Sequence, residues 1–332
     1  MSVSFTSYEQ LPSIMLPTNG SYVSEEIELL RCSREHLSVV YDQSKWIWAV
    51  DITLCVFASI TAITATIGNA LVILAVWQTP TLRNPSNIIL FFLAITDLLT
   101  GLITQPTFVL HLILQMNQSV KAYCIVAEFM AAVGFMLSGT SFSVLTIVGI
   151  DKYFAVRYHL RYNVIVTNAR IFQTMSIILI LNACILTVFY FNYRVYTILI
   201  LFLVCINLLG WFLCYSFVFR HVEKHKRELG RLAVEMARIQ SHAGPIQHLR
   251  KLEYSTYTAI FIVGLYFVCY IPFLVVSIVK SSLGYHSSHL EVARRVASIT
   301  VLLNASLNPV LYCLRLKLMR KAIKRICLRL VK

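Results

Sequence analysis

The chain has 332 residues, of which 58% are hydrophobic and only 13% are charged, and its formal net charge is +14. About a quarter of the residues in a soluble domain are charged, so this composition excludes an ordinary soluble fold and indicates a lipid environment. The basic residues lie beside long apolar blocks, which favours contact with anionic lipid headgroups and gives no reason to expect a nucleic acid.

Seven apolar blocks follow one another along the chain. They cover residues 47–77, 86–114, 122–150, 171–191, 195–219, 254–279 and 296–314. A helix needs roughly 20 apolar residues to cross a bilayer, and lipid cannot satisfy backbone groups that are left unbonded. The sequence therefore predicts an all-α membrane protein. Residues 1–46 form an N-terminal segment, 47–314 a seven-helix bundle, and 315–332 a terminal amphipathic helix and tail.

Basic residues predict the orientation of the bundle. Of the 29 Lys and Arg, 21 follow the first, third, fifth and seventh blocks. Positive residues stay in the cytoplasm, so we expect an extracellular N-terminus and a cytoplasmic C-terminus in the plasma membrane. The sequons at Asn19 and Asn117 then lie on the outer side, where glycosylation would need them.

Polar residues inside apolar blocks are the first functional candidates. Asp97 lies in the second block, Ser141 in the third, and Asn304 and Asn308 lie one turn apart in the seventh. Such oxygen donors suit a small cation, although a hydrogen-bond network without an ion could use the same residues. A transporter with Asp97 and Glu128 as relay carboxylates is an alternative.

Five motifs fall in register with the seven blocks. They are Gly68-Asn69, Leu93-Ala94-x-x-Asp97, Asp151-Lys152-Tyr153, Cys269-Tyr270-x-Pro272 and Asn308-Pro309-x-x-Tyr312. In this order they resemble the rhodopsin-like (class A) G-protein-coupled receptors, and the resemblance covers about residues 47–329. It implies a receptor, and not an enzyme, that converts binding of an extracellular ligand into nucleotide exchange on a heterotrimeric G protein. A non-signalling or decoy receptor is an alternative with the same helices.

The resemblance also assigns roles by matching position. It implies a sodium site at Asp97, Ser141, Asn304 and Asn308. The implied activation switch comprises Asp151, Lys152, Tyr153, Tyr215, Tyr270, Pro272, Asn308, Pro309 and Tyr312. The implied ligand pocket comprises Thr104, Gly134, Phe135, Ser138, Tyr270, Phe273, Lys280 and Arg294. Positive charge at Lys280, Arg294 and Arg295 favours an anionic lipid or a peptide with an acidic group, although ordinary interfacial bases would look the same.

Several residues depart from the family pattern. Lys152 stands where the family prefers arginine, and lysine lacks the planar five-donor fork. Leu252 stands where the family has an acid that locks helix six, so we expect a weakly latched resting state with raised basal activity or poor coupling. Gly134 replaces the aspartate of amine receptors and Leu302 the retinal-binding lysine, so neither a monoamine nor retinal is expected.

The outer side departs from the pattern as well. The connection between helices four and five is expected to be only a few residues long and has no cysteine, so the usual disulfide cannot form. Cys124 and Cys32 are candidates for a bridge that the sequence does not establish. These features, with Asn207 in place of a proline, are similar to the melanocortin, lysophospholipid and cannabinoid receptor branch. His111 is expected to be solvated, as are His286 and His289.

The segment after Tyr312 combines a helical hydrophobic stripe with many Lys and Arg, which predicts a helix on anionic lipid. Cys327 in this helix is a palmitoylation candidate. Residues 313–332 contain no Ser, Thr or Tyr, the residues that phosphorylation requires. We therefore expect weak or tail-independent arrestin binding.

Overall fold

A computed structural model of the chain describes residues 28–31, 38–41, 44–158, 161–236, 261, 264–279 and 288–330. Its helices are α1 (Lys45–Gln78), α2 (Pro85–Met116), α3 (Val120–Arg157), α4 (Asn168–Phe191), α5 (Tyr193–Met236), α6 (Gly264–Val279), α7 (Ser288–Arg315) and α8 (Lys317–Leu330). A 3-10 turn, Pro80–Leu82, and a one-turn helix, Tyr162–Ile165, lie in connections. Helices α1 to α5 and α7 are long and apolar enough to cross a bilayer, and α6 is a shorter apolar helix. The predicted all-α membrane fold is confirmed.

A small β ladder precedes the bundle. Strands β1 (Glu28–Arg31) and β2 (Ser38–Tyr41) are antiparallel, with Glu28 opposite Tyr41. The sequence analysis predicted no strand in this segment. A two-stranded ladder this short is marginal by itself, and β2 also contacts α7.

Local signals explain where α2 begins and why it is irregular. Asn84 caps the helix, because its side chain accepts a hydrogen bond from the Asn87 amide at 3.0 Å, and Pro85 occupies the first turn. A π turn at Thr100–Thr104 interrupts α2 just before Pro106, which has no amide donor. The π turn inserts an extra residue and rotates every later side chain around the helix axis.

The connection between α4 and α5 is even shorter than predicted. It consists of Asn192 alone, and not of a few residues. The Asn192 amide donates to the Val188 carbonyl at 2.8 Å and completes α4, while its side-chain oxygen accepts from the Val195 amide at 3.1 Å and starts α5. One residue therefore caps both helices, which leaves no room for a second outer loop.

Helix α7 starts eight residues before the predicted apolar block. Its first turns carry Glu291, Arg294 and Arg295, whose charges are paired and so can be accommodated in a packed helix. The Arg295 guanidinium bonds both oxygens of Asp51 on α1, at 2.7 and 2.6 Å, and both residues are buried. We expected Arg295 to add positive charge that would suit an anionic ligand, but its charge is paired with Asp51.

We call the end of the bundle that the basic residues predict to be cytoplasmic the inner end, and the opposite end the outer end. The main apolar core lies in the inner half and includes Leu93, Val144, Leu145 and Tyr312. Helix α8 packs against it through Met319, Ala322 and Ile326. A close approach of α1 and α7 depends on Gly68, because a Cβ atom at this position would lie 2.9 Å from the Pro309 ring. These contacts hold α1, α7 and α8 together beneath the polar residues described next.

Candidate functional site

A cavity of about 370 Å³ lies between α2, α3, α4, α5, α6 and α7. This volume is within the range of small-molecule sites, which are usually concave and mostly apolar. Seven of the eight residues predicted for the ligand pocket line it: Thr104, Gly134, Phe135, Ser138, Tyr270, Phe273 and Arg294. Lys280 lies outside the described residues.

The floor of the cavity is aromatic. Tyr266 and Tyr270 of α6 stack with ring centroids 4.3 Å apart, and the Tyr266 hydroxyl donates to that of Tyr270 at 2.8 Å. Phe142 and Trp211 pack beside them with ring centroids 4.9 Å apart. A ligand that reaches this depth would contact rings from α3, α5 and α6 at once, so the floor links three helices.

The wall towards α4 contains one amide. The Asn182 side chain donates through Nδ2 to the Ile178 carbonyl at 2.9 Å, which fixes the orientation of the amide and leaves Oδ1 facing α3. Gly139 makes room for this oxygen, because a Cβ atom there would lie only 2.8 Å from it. Asn182 Oδ1 accepts no hydrogen bond from any described residue.

Charge at the outer end of the cavity is internally compensated. The Arg294 Nε donates to Glu291 at 2.9 Å, one turn earlier on α7, and a second guanidinium nitrogen bonds the same carboxylate. Arg294 is the charged residue that the described part of the chain contributes to the cavity wall. The cavity therefore carries little net charge in this part.

The prediction that His111 is solvated was wrong. Its imidazole is buried, and its ring centroid lies 4.3 Å from that of Tyr123 on α3. The π turn at Thr100–Thr104 explains the difference, because it rotates the outer half of α2 and brings His111 to face the bundle. His289 is exposed and stacks on Trp46, and His286 lies outside the described residues.

A second polar cluster surrounds Asp97 in the inner half of the bundle. Asp97 is buried and accepts a hydrogen bond from the Asn308 side-chain nitrogen at 2.7 Å. The side-chain oxygens of Asn304, Asn308 and Asn69 are buried and accept no hydrogen bond from the described residues. The Ser141 hydroxyl donates to Thr96 at 2.8 Å, so the lone pairs of the Ser141 oxygen stay available to a cation. A carboxylate and several unsatisfied oxygens are suitable ligands for a hard cation.

The third cluster is at the inner end of α3. Lys152 and Asp151 form an ion pair of 2.9 Å, and both residues are buried. The Asp151 carboxylate also accepts a hydrogen bond from Ser86 on α2 and one from Tyr162 in the connection to α4, each at 2.6 Å. Burial, and then the Asp151 charge, raise the pKa of Tyr162 well above its usual value, so the phenol keeps the proton that it donates.

The contact of Lys152 is thus closer than the missing guanidinium fork led us to expect. Lysine supplies one point charge, and Ser86 and Tyr162 supply the hydrogen bonds that a fork would otherwise have made. We call the four residues Ser86, Asp151, Lys152 and Tyr162 the inner latch. Leu252 lies outside the described residues, so the latch has no described partner from that part of the chain.

The remaining residues of the predicted switch lie on four helices. Tyr153 packs on Phe217 of α5, with ring centroids 4.7 Å apart. Tyr215 lies against Gly149, where a Cβ atom would be 3.2 Å from its ring, and the hydroxyls of Tyr215 and Tyr312 are buried without a partner among the described residues. Pro272 lies within α6 and Pro309 within α7.

The predicted modification sites are only partly described. Asn117 is exposed in the turn after α2, and Asn19 lies outside the described residues. Cys124 is disulfide-bonded, but Cys32 also lies outside them, so their pairing stays a prediction. Cys327 is a free, half-buried thiol on α8.

Five residues of these clusters were not singled out in the sequence: Ser86, Tyr162, Asp51, Asn182 and Tyr266. An ionisable residue in an apolar block, such as Asp51, is a general signal that could have been used. The same signal applies to Asn182, which is a polar amide in the apolar block of α4. Ser86 and Tyr162 carry no such signal, because each gains its role only from Asp151 on α3. Tyr266 carries none either, since an aromatic residue is ordinary in an apolar block.

Comparison with known proteins supports a single family. The 7 transmembrane receptor (rhodopsin family) matches residues 68–312. The human histamine H2 receptor is 31% identical over 134 residues, which are 40% of this chain and 36% of that protein. The human adenosine receptor A2a is 33% identical over 109 residues, 33% of this chain and 25% of that protein. The human olfactory receptor 51V1 is 35% identical over 119 residues, 35% of each chain. The matches thus span about a third or less of these relatives' length.

Proposed function

Because this chain belongs to the rhodopsin family of seven-transmembrane receptors, we propose that it is a signalling receptor that promotes nucleotide exchange on a heterotrimeric G protein. An extracellular ligand would bind in the cavity, and the G protein would bind at the cytoplasmic ends of the helices. The observation that carries this proposal is the inner latch. Its buried Asp151–Lys152 ion pair lies at the end of α3, where the family resemblance expects a G protein to bind.

The latch supplies a mechanism for coupling. In the described arrangement Asp151 holds Lys152 at 2.9 Å, and Ser86 and Tyr162 hold Asp151. A ligand that favours the state in which these bonds are broken would release Lys152 towards the cytoplasm. Such a ligand can shift the equilibrium only by its difference in affinity for the two states. The latch energy therefore determines how much signal remains without ligand.

A sodium ion at Asp97 would bias the same equilibrium. Asp97, Ser141, Asn304 and Asn308 offer the oxygen atoms that such an ion needs, and two of these residues have oxygens without a hydrogen bond from the described residues. The ion would supply positive charge beside a buried carboxylate. The chain's own residues would hold α2, α3 and α7 together around it and so stabilise one arrangement of the bundle.

The finer expectations are part of the proposal. We place the receptor in the plasma membrane with an extracellular N-terminus, because of the distribution of basic residues. Helix α8 would lie on anionic lipid, and arrestin binding would be weak or independent of the tail. The resemblance to the melanocortin, lysophospholipid and cannabinoid branch stays a prediction. Two similar proteins are named for histamine and 5-hydroxytryptamine, but Gly134 in the cavity wall offers no carboxylate to an amine.

Ligand-free nucleotide exchange tests the proposal most directly. Membranes with equal surface levels of wild type and of Lys152→Arg would be assayed on a panel of purified G proteins, with empty membranes as the control. Exchange by wild type above the control supports a coupled receptor and identifies its partner. Exchange by the arginine variant alone would indicate that Lys152 weakens coupling. If neither the wild type nor the arginine variant exchanges nucleotide on any G protein, with or without a molecule that binds in the cavity, the decoy receptor replaces this proposal.

A further inference from the structure

The ligand class can be narrowed from the cavity itself, on the premise that the proposed receptor function is correct. We infer that the cavity binds a neutral, elongated, mostly apolar molecule with one hydrogen-bond donor, and that Asn182 of α4 accepts the hydrogen bond from this donor. Three observations carry this inference: the compensated charge at the outer end, the length of the cavity, and the unsatisfied amide oxygen in its wall.

Charge comes first. Arg294, the charged residue in the described cavity wall, is bonded to Glu291, and the neighbouring Arg295 is turned away into a buried pair with Asp51. An anion near the Arg294–Glu291 pair would be attracted by one partner and repelled by the other. A cation would be in the same position, and deeper in the cavity it would find no opposite charge among the described residues of the wall. Burying an unpaired charge is costly, so a neutral molecule fits best.

The shape of the cavity favours a long molecule. Its lining on α5 runs from Ile200 to Trp211, which at 1.5 Å per residue corresponds to roughly 16 Å of depth. Most lining side chains are aliphatic or aromatic, including Phe108, Leu203 and Leu274. An extended hydrocarbon body would fill this space.

The polar contact is provided by Asn182. The bond from its Nδ2 to the Ile178 carbonyl fixes the oxygen as the atom that faces the cavity. Nearby, Asn207 Oδ1 accepts from Thr146, and Ser143 donates to the Gly139 carbonyl at 2.9 Å. The Thr104 hydroxyl and the Trp211 indole nitrogen have no partner among the described residues, but both atoms are buried. An amide oxygen among apolar side chains is stabilised by a hydrogen-bond donor. A hydroxyl or N–H group of the ligand would supply it.

Gly139 is a positioning residue for this contact. A side chain there would come within 2.8 Å of Asn182 Oδ1, so the amide could not stay in place. Gly139→Ala should therefore disturb the same hydrogen bond as the removal of Asn182, without removing the amide itself. This gives two independent variants of different chemistry.

Four straight-chain probes test the inference on the full chain in lipid nanodiscs. They are dodecan-1-ol, its methyl ether 1-methoxydodecane, dodecanoic acid and dodecylamine. Binding is measured as the rise in unfolding temperature with probe concentration, which needs no G protein. We expect dodecan-1-ol to bind the wild type about fivefold more tightly than the ether, the effect of one neutral hydrogen bond. The charged acid and amine should bind more weakly than the alcohol.

Variants then locate the donor site. Asn182→Leu and Gly139→Ala should each abolish the fivefold preference for the alcohol over the ether. The matched control is Thr187→Val, which removes an exposed polar group of the same helix that does not line the cavity, and it should keep the preference. If Asn182→Leu and Gly139→Ala both keep it, Asn182 is not the acceptor. Tighter binding of the acid or the amine, or no effect of any probe, would overturn the proposed class.

The same nanodiscs separate this inference from the proposed function. Probe binding with the expected preference but no nucleotide exchange on any G protein would contradict the receptor proposal and leave the ligand class standing. Exchange without the preference would do the reverse.

Discussion

Removing the Tyr162 hydroxyl should activate the receptor in the absence of ligand. Tyr162→Phe keeps the ring but deletes the hydrogen bond of 2.6 Å to Asp151 Oδ1, while Ser86 and Lys152 continue to hold the other carboxylate oxygen. The latch is thus weakened on one side only. We expect ligand-free nucleotide exchange to increase, because the state in which the latch is closed loses stability relative to the open state.

The magnitude follows from the geometry. A hydrogen bond to a charged group contributes about 1.5–3 kcal/mol, and the half-buried position of Tyr162 indicates the lower end of this range. About 1.4 kcal/mol corresponds to a tenfold change in an equilibrium constant. Basal exchange should therefore rise about tenfold where the open state is a small fraction in the wild type. The raised pKa of Tyr162 keeps the phenol protonated, so the increase should not depend on pH near neutrality.

The assay compares variants in membranes with equal surface levels. Tyr158→Phe is the matched control, because this exposed tyrosine stacks near Phe154 and Arg157 and makes no bond to Asp151. It should leave exchange unchanged. Ser86→Ala should also raise exchange, since it removes the second hydrogen bond to the carboxylate. If Tyr162→Phe behaves like Tyr158→Phe on a G protein that the wild type activates, the latch does not restrain activation and the reasoning fails.

Three further predictions concern stability. Asp51→Leu leaves the buried Arg295 guanidinium without its partner and should lower the free energy of unfolding by about 3–5 kcal/mol. The double variant, Asp51→Leu with Arg295→Met, should recover most of the lost unfolding temperature. Equal losses in the single and the double variant would contradict a penalty for the buried, unpaired charge. Gly68→Ala should lower the free energy of unfolding by roughly 1–3 kcal/mol in the same thermal assay, because the added methyl group meets the Pro309 ring. An unchanged unfolding temperature would mean that α1 and α7 can move apart at no cost. Sodium chloride should raise the unfolding temperature of the wild type but not of Asp97→Asn, with choline chloride as the control; an equal rise in both would argue against an ion at Asp97.

Much of the architecture could be read from linear patterns. Lipid requires long apolar helices with internal hydrogen bonds, so the seven blocks predicted the transmembrane helices with little ambiguity. The boundaries were less certain where charge occurs inside a helix. Helix α7 begins at Ser288 because Glu291 and Arg295 have partners, and an apolar-block rule cannot include paired charges.

The candidate site was predictable only in part. Asp97, Asn308 and the Asp151–Lys152 pair were identified because polar residues in apolar helices are rare. Their partners were not, since Tyr162 and Asp51 are adjacent to them only in three dimensions. The orientation of His111 depended on a π turn, which has no simple signature in the hydrophobic pattern.

The sequence by itself determined that this chain crosses a membrane several times and which polar residues lipid would make costly. Its orientation in the membrane stays a prediction from the basic residues. Tertiary structure decided what those residues touch. The positive charges of Arg294 and Arg295 are compensated, the first by Glu291 and the second by Asp51. The amide of Asn182 on α4 faces the cavity instead. The reason is physical: periodicity records which side of a helix avoids water or lipid, whereas charge compensation and hydrogen bonding depend on neighbours that only packing brings together.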